Sequence, residues 1–98
     1  MNLKLTKAEV RALDTELSEM LKYSYVAMTD KLQVCILTKF YQKLVVKLLN
    51  LKSKYSLKMD EQTEMAFYLY FQDQTYTPLN FTDNLIKGIC DGIKKKYA

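Results

Sequence analysis

Ninety-eight residues with two Gly and one Pro make one domain, 1–98, long enough to bury roughly 60–68% of the unfolded chain's surface and too poor in turn residues for an all-β fold. Histidine is absent, the two cysteines lie far apart at Cys35 and Cys90, and the net charge is +4. The commonest general base and metal ligand is therefore missing, no thiolate–imidazole pair can form, and neither a metal nor a cofactor is expected.

The charge is segregated along the chain. Residues 30–58 hold seven Lys against Asp30 alone, whereas residues 59–81 hold Asp60, Glu61, Glu64 and Asp73 with no basic residue. Fourteen of the fifteen basic residues are Lys, and Arg11 is the only Arg. Lysine supplies a point charge rather than the planar fork that reads carboxylate, phosphate or guanine, which disfavours specific recognition through these groups. The amino terminus is charged from Lys4 onward, unlike a secretory signal, and no run approaches the ~18 apolar residues of a membrane span. A cytoplasmic protein is expected.

In chain order, Leu3-Lys4-Leu5 alternates with period two and leads into Thr6, which with Glu9 forms a capping box. Leu5 and Val10 stand where a hydrophobic staple would place them. A first helix over about 7–27 follows, with Val10, Leu13, Leu17, Met20 and Leu21 inward. Thr29–Asp30 offers the next cap, for a long helix over about 30–53. Its seam, Val34, Leu37, Tyr41, Leu44, Leu48, Leu51 and Tyr55, repeats at steps of three and four, with Phe40, Val45 and Leu49 widening it. Such a helix fits the centre of a bundle or a seam shared with a second copy. Both cysteines fall in apolar helical patterns and are expected to be buried free thiols.

Asp60 caps a third helix over about 60–74, with Met65, Ala66 and Leu69 inward. The run from Ala66 to Phe71 is aromatic on every side and by propensity fits a buried strand as well. Residues 73–81, with Pro78, read as a loop, and Thr82 caps a last helix over about 82–96 with Leu85, Ile86, Ile89, Ile93 and Tyr97 inward. Gly88 and Gly92 share a face of that helix and suggest close approach of a neighbouring backbone. Leu57-Lys58-Met59 echoes Leu3-Lys4-Leu5, and the two triplets, 3–5 and 57–59, could pair as a minimal two-stranded ribbon or match by chance. The expected fold is all-α, a four-helix bundle with or without that ribbon.

Arg11-Ala-Leu-Asp14 ahead of a long amphipathic segment resembles, superficially, the opening helix of helical chorismate mutases. Those enzymes grip a dianionic substrate with more than one Arg, and this chain has only Arg11. The two glycines, in the context GICDG, build no phosphate loop, and an enzyme is not expected.

Two non-catalytic functions remain. An interaction or adaptor protein would bind another protein, or itself, through apolar and Tyr-rich helical surface, with Tyr68, Tyr70, Tyr76 and Phe81 as the partner-binding candidates. A non-specific nucleic-acid accessory protein would instead use Lys39, Lys43, Lys47 and Lys54 with Lys94, Lys95 and Lys96. The first three rise about 6 Å per step along the helix, near the spacing of backbone phosphates. The acidic third segment could also fold back over these lysines and neutralise them.

Overall fold

The structure is a computed structural model that describes residues 1–73, 77 and 80–97. Among the described residues the order is β1 (Asn2–Thr6), α1 (Lys7–Met20), α2 (Met28–Leu48), β2 (Lys54–Lys58), α3 (Glu61–Phe71) and α4 (Phe81–Tyr97). The protein is mostly helical with a small antiparallel sheet, rather than purely all-α.

The capping box at the start of α1 forms as expected. Thr6 N–H donates to Glu9 Oε1 at 2.9 Å, and Glu9 N–H donates to Thr6 Oγ1 at 3.3 Å. Immediately before it, β1 pairs with β2 so that Leu3 faces Leu57 and Leu5 faces Tyr55. These four side chains are buried while Lys4, Ser56 and Lys58 point to solvent, as period-two alternation dictates. The paired strand spans 54–58 rather than 57–59, and Met59 carries the pairing on past it, donating its N–H to the Met1 carbonyl at 2.8 Å while the Met1 ammonium donates to the Met59 carbonyl at 3.1 Å.

Three ends of the first two helices differ from the sequence expectation. α1 stops at Met20, where the Tyr25 hydroxyl folds back onto the Met20 carbonyl at 2.8 Å, and Leu21 is left exposed. α2 begins at Met28 without a side-chain cap, so Thr29 and Asp30 lie inside its first turn. It ends at Leu48 instead of Ser53, because the Tyr55 hydroxyl donates to the Asn50 carbonyl at 2.7 Å and accepts from Lys52 N–H at 3.2 Å, which ties the connection to β2. Tyr55 is buried from a strand, not from the helix, and Leu51 is exposed.

Residues 66–71 are helical, and the strand alternative falls. Asp60 caps α3 by accepting from Thr63 N–H at 2.8 Å. The inward residues are Thr63, Glu64, Ala66, Phe67 and Phe71, whereas Met65 and Leu69, expected inside, are exposed. α4 starts one residue before Thr82, and its first turn is capped by Asn80 Oδ1, which accepts from Asp83 N–H at 3.0 Å. Ile86, Ile89 and Ile93 are buried with Cys90, and Tyr97 is exposed. No backbone crowds the glycines. Nothing lies within 4 Å of a Cβ placed at Gly88, and at Gly92 the neighbour is the end of the Met1 side chain, 3.2 Å away.

α1 packs against α2 and α4, and α3 packs against the same two helices. The core at their centre joins Leu13, Leu17 and Met20 to Leu37, Phe40 and Leu44, to Phe67 and Phe71, and to the α4 isoleucines. The ribbon residues Leu3, Leu5, Tyr55 and Leu57 complete it.

Candidate functional site

α2 has two apolar faces. Leu37, Phe40 and Leu44 are buried, with Val34, Tyr41 and Leu48 packed partly beside them. On the opposite side Met28, Leu32, Cys35, Lys39, Gln42, Val46 and Leu49 follow one another at steps of four and three, and all seven are exposed. Met28 is 84% exposed, Leu32 61%, Val46 62% and Leu49 78%. Val26 and Leu51, also exposed, flank the two ends of this stripe. Cys35 is an exposed free thiol, contrary to the expectation of burial, whereas Cys90 is buried. Five of the seven stripe residues are apolar, with Lys39 and Gln42 between them.

Lysines share this face. Lys39, Lys43 and Lys47 line a shallow depression of about 470 Å³ with Gln42 and Val46. Among the described residues none of the three is in an ion pair. The acidic third segment does not cover them: Asp60 spends its carboxylate on the α3 cap, with Lys43 only adding to the downward pull on its pKa that the Thr63 hydrogen bonds dominate. Lys54 lies in β2 and is not part of the α2 stripe.

The carboxy-terminal lysines do something else. Glu64, 1% exposed, accepts at Oε1 from Lys96 Nζ at 2.9 Å and from the Met1 ammonium at 3.0 Å. The same ammonium donates to the Met59 carbonyl at 3.1 Å. Burial pushes the Glu64 carboxyl up, but Lys96, the Met1 ammonium and the Tyr97 hydroxyl outweigh it, so the pKa lies below the usual glutamate value. Lys96 is thereby a structural counter-ion, raised in pKa by its bond to Glu64. Its ammonium also stands 5.5 Å from the centre of the Tyr97 ring, within cation–π range. Lys94 lines an apolar groove of about 400 Å³ with Met65, Tyr68, Leu69, Ile93 and Tyr97, and Lys95 is exposed.

The aromatic candidates do not make one patch. Tyr68 lines the α3–α4 groove. Tyr70, two positions on and therefore on the other side of α3, shares a 2.6 Å hydroxyl–hydroxyl bond with Tyr25, its ring edge-on to that of Tyr25. Burial, then the Tyr25 hydroxyl, drives the Tyr70 pKa up, and its role is to fasten the connection between α1 and α2. Phe81 is exposed at the start of α4. Tyr76 lies outside the described residues.

Sequence reading singled out three residues of the outer stripe, Lys39 in the lysine stripe, Cys35 as a buried thiol and Leu49 as part of the inner seam, but not the stripe itself. Its signal, apolar residues at Met28, Leu32, Cys35, Val46 and Leu49, was present in the spacing. Among the described residues no three His, Cys, Asp or Glu side chains gather to hold a metal ion, and no helix is long and apolar enough to cross a membrane. No protein-family model, curated protein or solved structure matches this chain.

Proposed function

We propose that this chain is a small non-catalytic interaction protein, a bundle of four helices whose working surface is the outward face of α2. The observation that carries this is the second apolar face of α2, with Met28, Leu32, Val46 and Leu49 each more than half exposed. Single exposed apolar residues are ordinary, but a row of them along one helix marks a contact site. The exposed Cys35 thiol in the middle of that row fits a reducing compartment such as the cytoplasm. Of the aromatic candidates, Tyr68 and Phe81 stay available to a partner, whereas Tyr70 serves the fold.

A photo-crosslinking side chain placed at position 46 in the living cell tests this, with position 58 on the exposed edge of β2 as control. The expected result is a protein adduct from position 46 and none from position 58. Equal labelling at both positions, or none at position 46, contradicts it.

A second reading has its own observation. Lys39, Lys43 and Lys47 are exposed, close together and outside any ion pair, which suits weak, non-specific contact with backbone phosphates. Anisotropy of a labelled DNA duplex at low and physiological salt tests it. Affinity that falls with a log–log slope of several units, and that vanishes when the three lysines become Glu, favours this reading. No binding at low salt removes it.

A further inference from the structure

We propose that the outer edge of β1 is a second docking site, separate from α2, and that its occupant is an extended peptide segment in which apolar and acidic residues alternate. The phase of the β1–β2 ladder leaves that edge open. Met1 and Met59 exchange both backbone bonds, at 2.8 and 3.1 Å, and the antiparallel register continues from there. Alternate residues of such a pair turn their N–H and C=O to the partner strand, so Leu3 and Leu5 face β2 while Asn2, Lys4 and Thr6 turn theirs outward. Thr6 bears this out, since its N–H goes to Glu9 Oε1 at 2.9 Å rather than to β2. The backbone groups of Asn2 and Lys4 have no partner among the described residues.

A groove of about 380 Å³ adjoins this edge, lined by Asn2, Leu3 and Glu9 on one side and by Leu85, Gly88 and Ile89 of α4 on the other. Gly88 keeps it open, because nothing lies within 4 Å of a Cβ placed there. A strand added opposite Lys4, Leu3 and Asn2 alternates in phase with them. Its residue opposite Leu3 turns inward, toward the groove, and its residues opposite Lys4 and Asn2 turn to solvent. Main-chain bonds hold such a strand, and the alternate side chains select it.

Charge says which segment fits. The outward side chains of the ribbon are Asn2, Lys4 and Thr6 on β1 and Lys54, Ser56 and Lys58 on β2, all exposed, with no acid among them. Among the described residues none of these lysines is in an ion pair. Lysine on a free edge repels a second copy of the same strand. A segment that brings Asp or Glu opposite Lys4 instead forms a favourable cross-strand pair. The Glu9 carboxylate borders the groove and repels an acid placed inside it, so the inward residue is apolar. Lys54 and Lys58 stand on the far strand, about 10 Å from the added one, and act only through long-range attraction.

The contact is short and therefore weak. About four backbone hydrogen bonds, shared between Asn2 and Lys4, correspond at ordinary net strength to a dissociation constant of about 1 mM. Lys4→Pro removes an outward N–H and leaves the bonds of Leu3 and Leu5 to β2, since proline is tolerated where a strand's N–H faces away from the ladder. Ser56→Pro makes the same change on the opposite edge. Gly88→Leu fills the groove.

The experiment is an NMR titration of the whole chain, followed through its backbone amides, with a capped hexapeptide of alternating valine and aspartate and, in parallel, with the same peptide carrying lysine for aspartate. The amides of Asn2 and Lys4 are expected to shift and to exchange more slowly with solvent, half-saturating at about 1 mM, with the lysine peptide about tenfold weaker. Lys4→Pro and Gly88→Leu, both checked for folding by thermal melting, lose the shifts, and Ser56→Pro keeps them. Should Lys4→Pro not fold, Gly88→Leu decides alone, at a position with room for its side chain. An unchanged spectrum at several millimolar peptide, equal binding of the two peptides, shifts centred on Lys39, Lys43 and Lys47, or full binding by Gly88→Leu overturns the site. The ribbon lysines would then serve only to keep free edges of different copies apart. That failure leaves the outward face of α2 standing, since position 46 tests it separately.

Discussion

Lys96 and the lysines of α2 carry the same charge in opposite circumstances. Lys96 closes over Glu64, a carboxylate sealed in the protein and shared with the Met1 ammonium. Lys39, Lys43 and Lys47 lie beside exposed apolar side chains, with no carboxylate in ion-pair reach among the described residues. At one end of the molecule the polar and charged groups are consumed by the fold. Along the outer face of α2, apolar and charged groups alike face solvent. A run of lysines in a sequence is therefore not one kind of feature, and what lies beneath each ammonium decides its role.

The contrast is sharpest within α2, where truncating an aliphatic side chain to alanine on opposite faces should have unequal consequences. Leu44→Ala, at a fully buried position, is expected to cost about 2–5 kcal/mol of unfolding free energy by the measure of other buried leucines. Val46→Ala, on the outer face, is expected to change it by less than about 0.5 kcal/mol in a dilute sample. Urea unfolding curves at low protein concentration check both. A large loss at Val46 would mean that the outer face is already used inside the monomer.

At the other region, Glu64→Gln is expected to cost about 1–2 kcal/mol, since it replaces charge-assisted bonds to Lys96 and the Met1 ammonium by a neutral amide. Glu61→Gln, at an exposed position, serves as the control and should change little. Acidity should reproduce the effect of the Glu64 substitution. The Glu64 carboxyl is held below the ordinary value of 4.5, so its contribution is fully present above that pH and is lost as pH falls through the lowered value. The gap between wild type and Glu64→Gln should accordingly narrow in acid titrations of stability. A gap that stays constant to low pH would show that the carboxylate's charge is not what stabilises the fold there.

The smallest expected effect concerns Gly88. With open space at the position a Cβ would take and no left-handed backbone there, Gly88→Ala should stabilise α4 by about 0.5–1 kcal/mol through helix propensity. Thermal melting reads it directly. A loss of stability would restore the close packing that the glycine pair suggested.

Local features were the ones legible in the sequence. Thr6 with Glu9 identified the start of α1, and the alternation around Lys4 and Lys58 marked the segments that pair as a ribbon, because both patterns depend on neighbours a few residues apart. The phase of α3 was not legible: from Ala66 to Phe71 every position is apolar or aromatic, and only packing against α2 and α4 selects Phe67 and Phe71 for the core over Leu69. The Glu64 cluster joins residues up to 63 positions apart, which no local pattern encodes. The outer stripe of α2 is present in the spacing, yet the same spacing assigns Leu49 to a broadened inner seam, and the burial usual for free thiols hides Cys35.

The central claim is that the second apolar row of α2, with Met28, Leu32, Val46 and Leu49, stands outside the fold, as the proposed interaction surface requires. Methyl NMR relaxation in the presence of a dissolved paramagnetic agent tests it most directly. Strong enhancement is expected at Leu32, Val46 and Leu49 and little at Leu37 and Leu44, which are fully buried on the other face. Protection of Leu32, Val46 and Leu49 equal to that of Leu37 and Leu44 would contradict it.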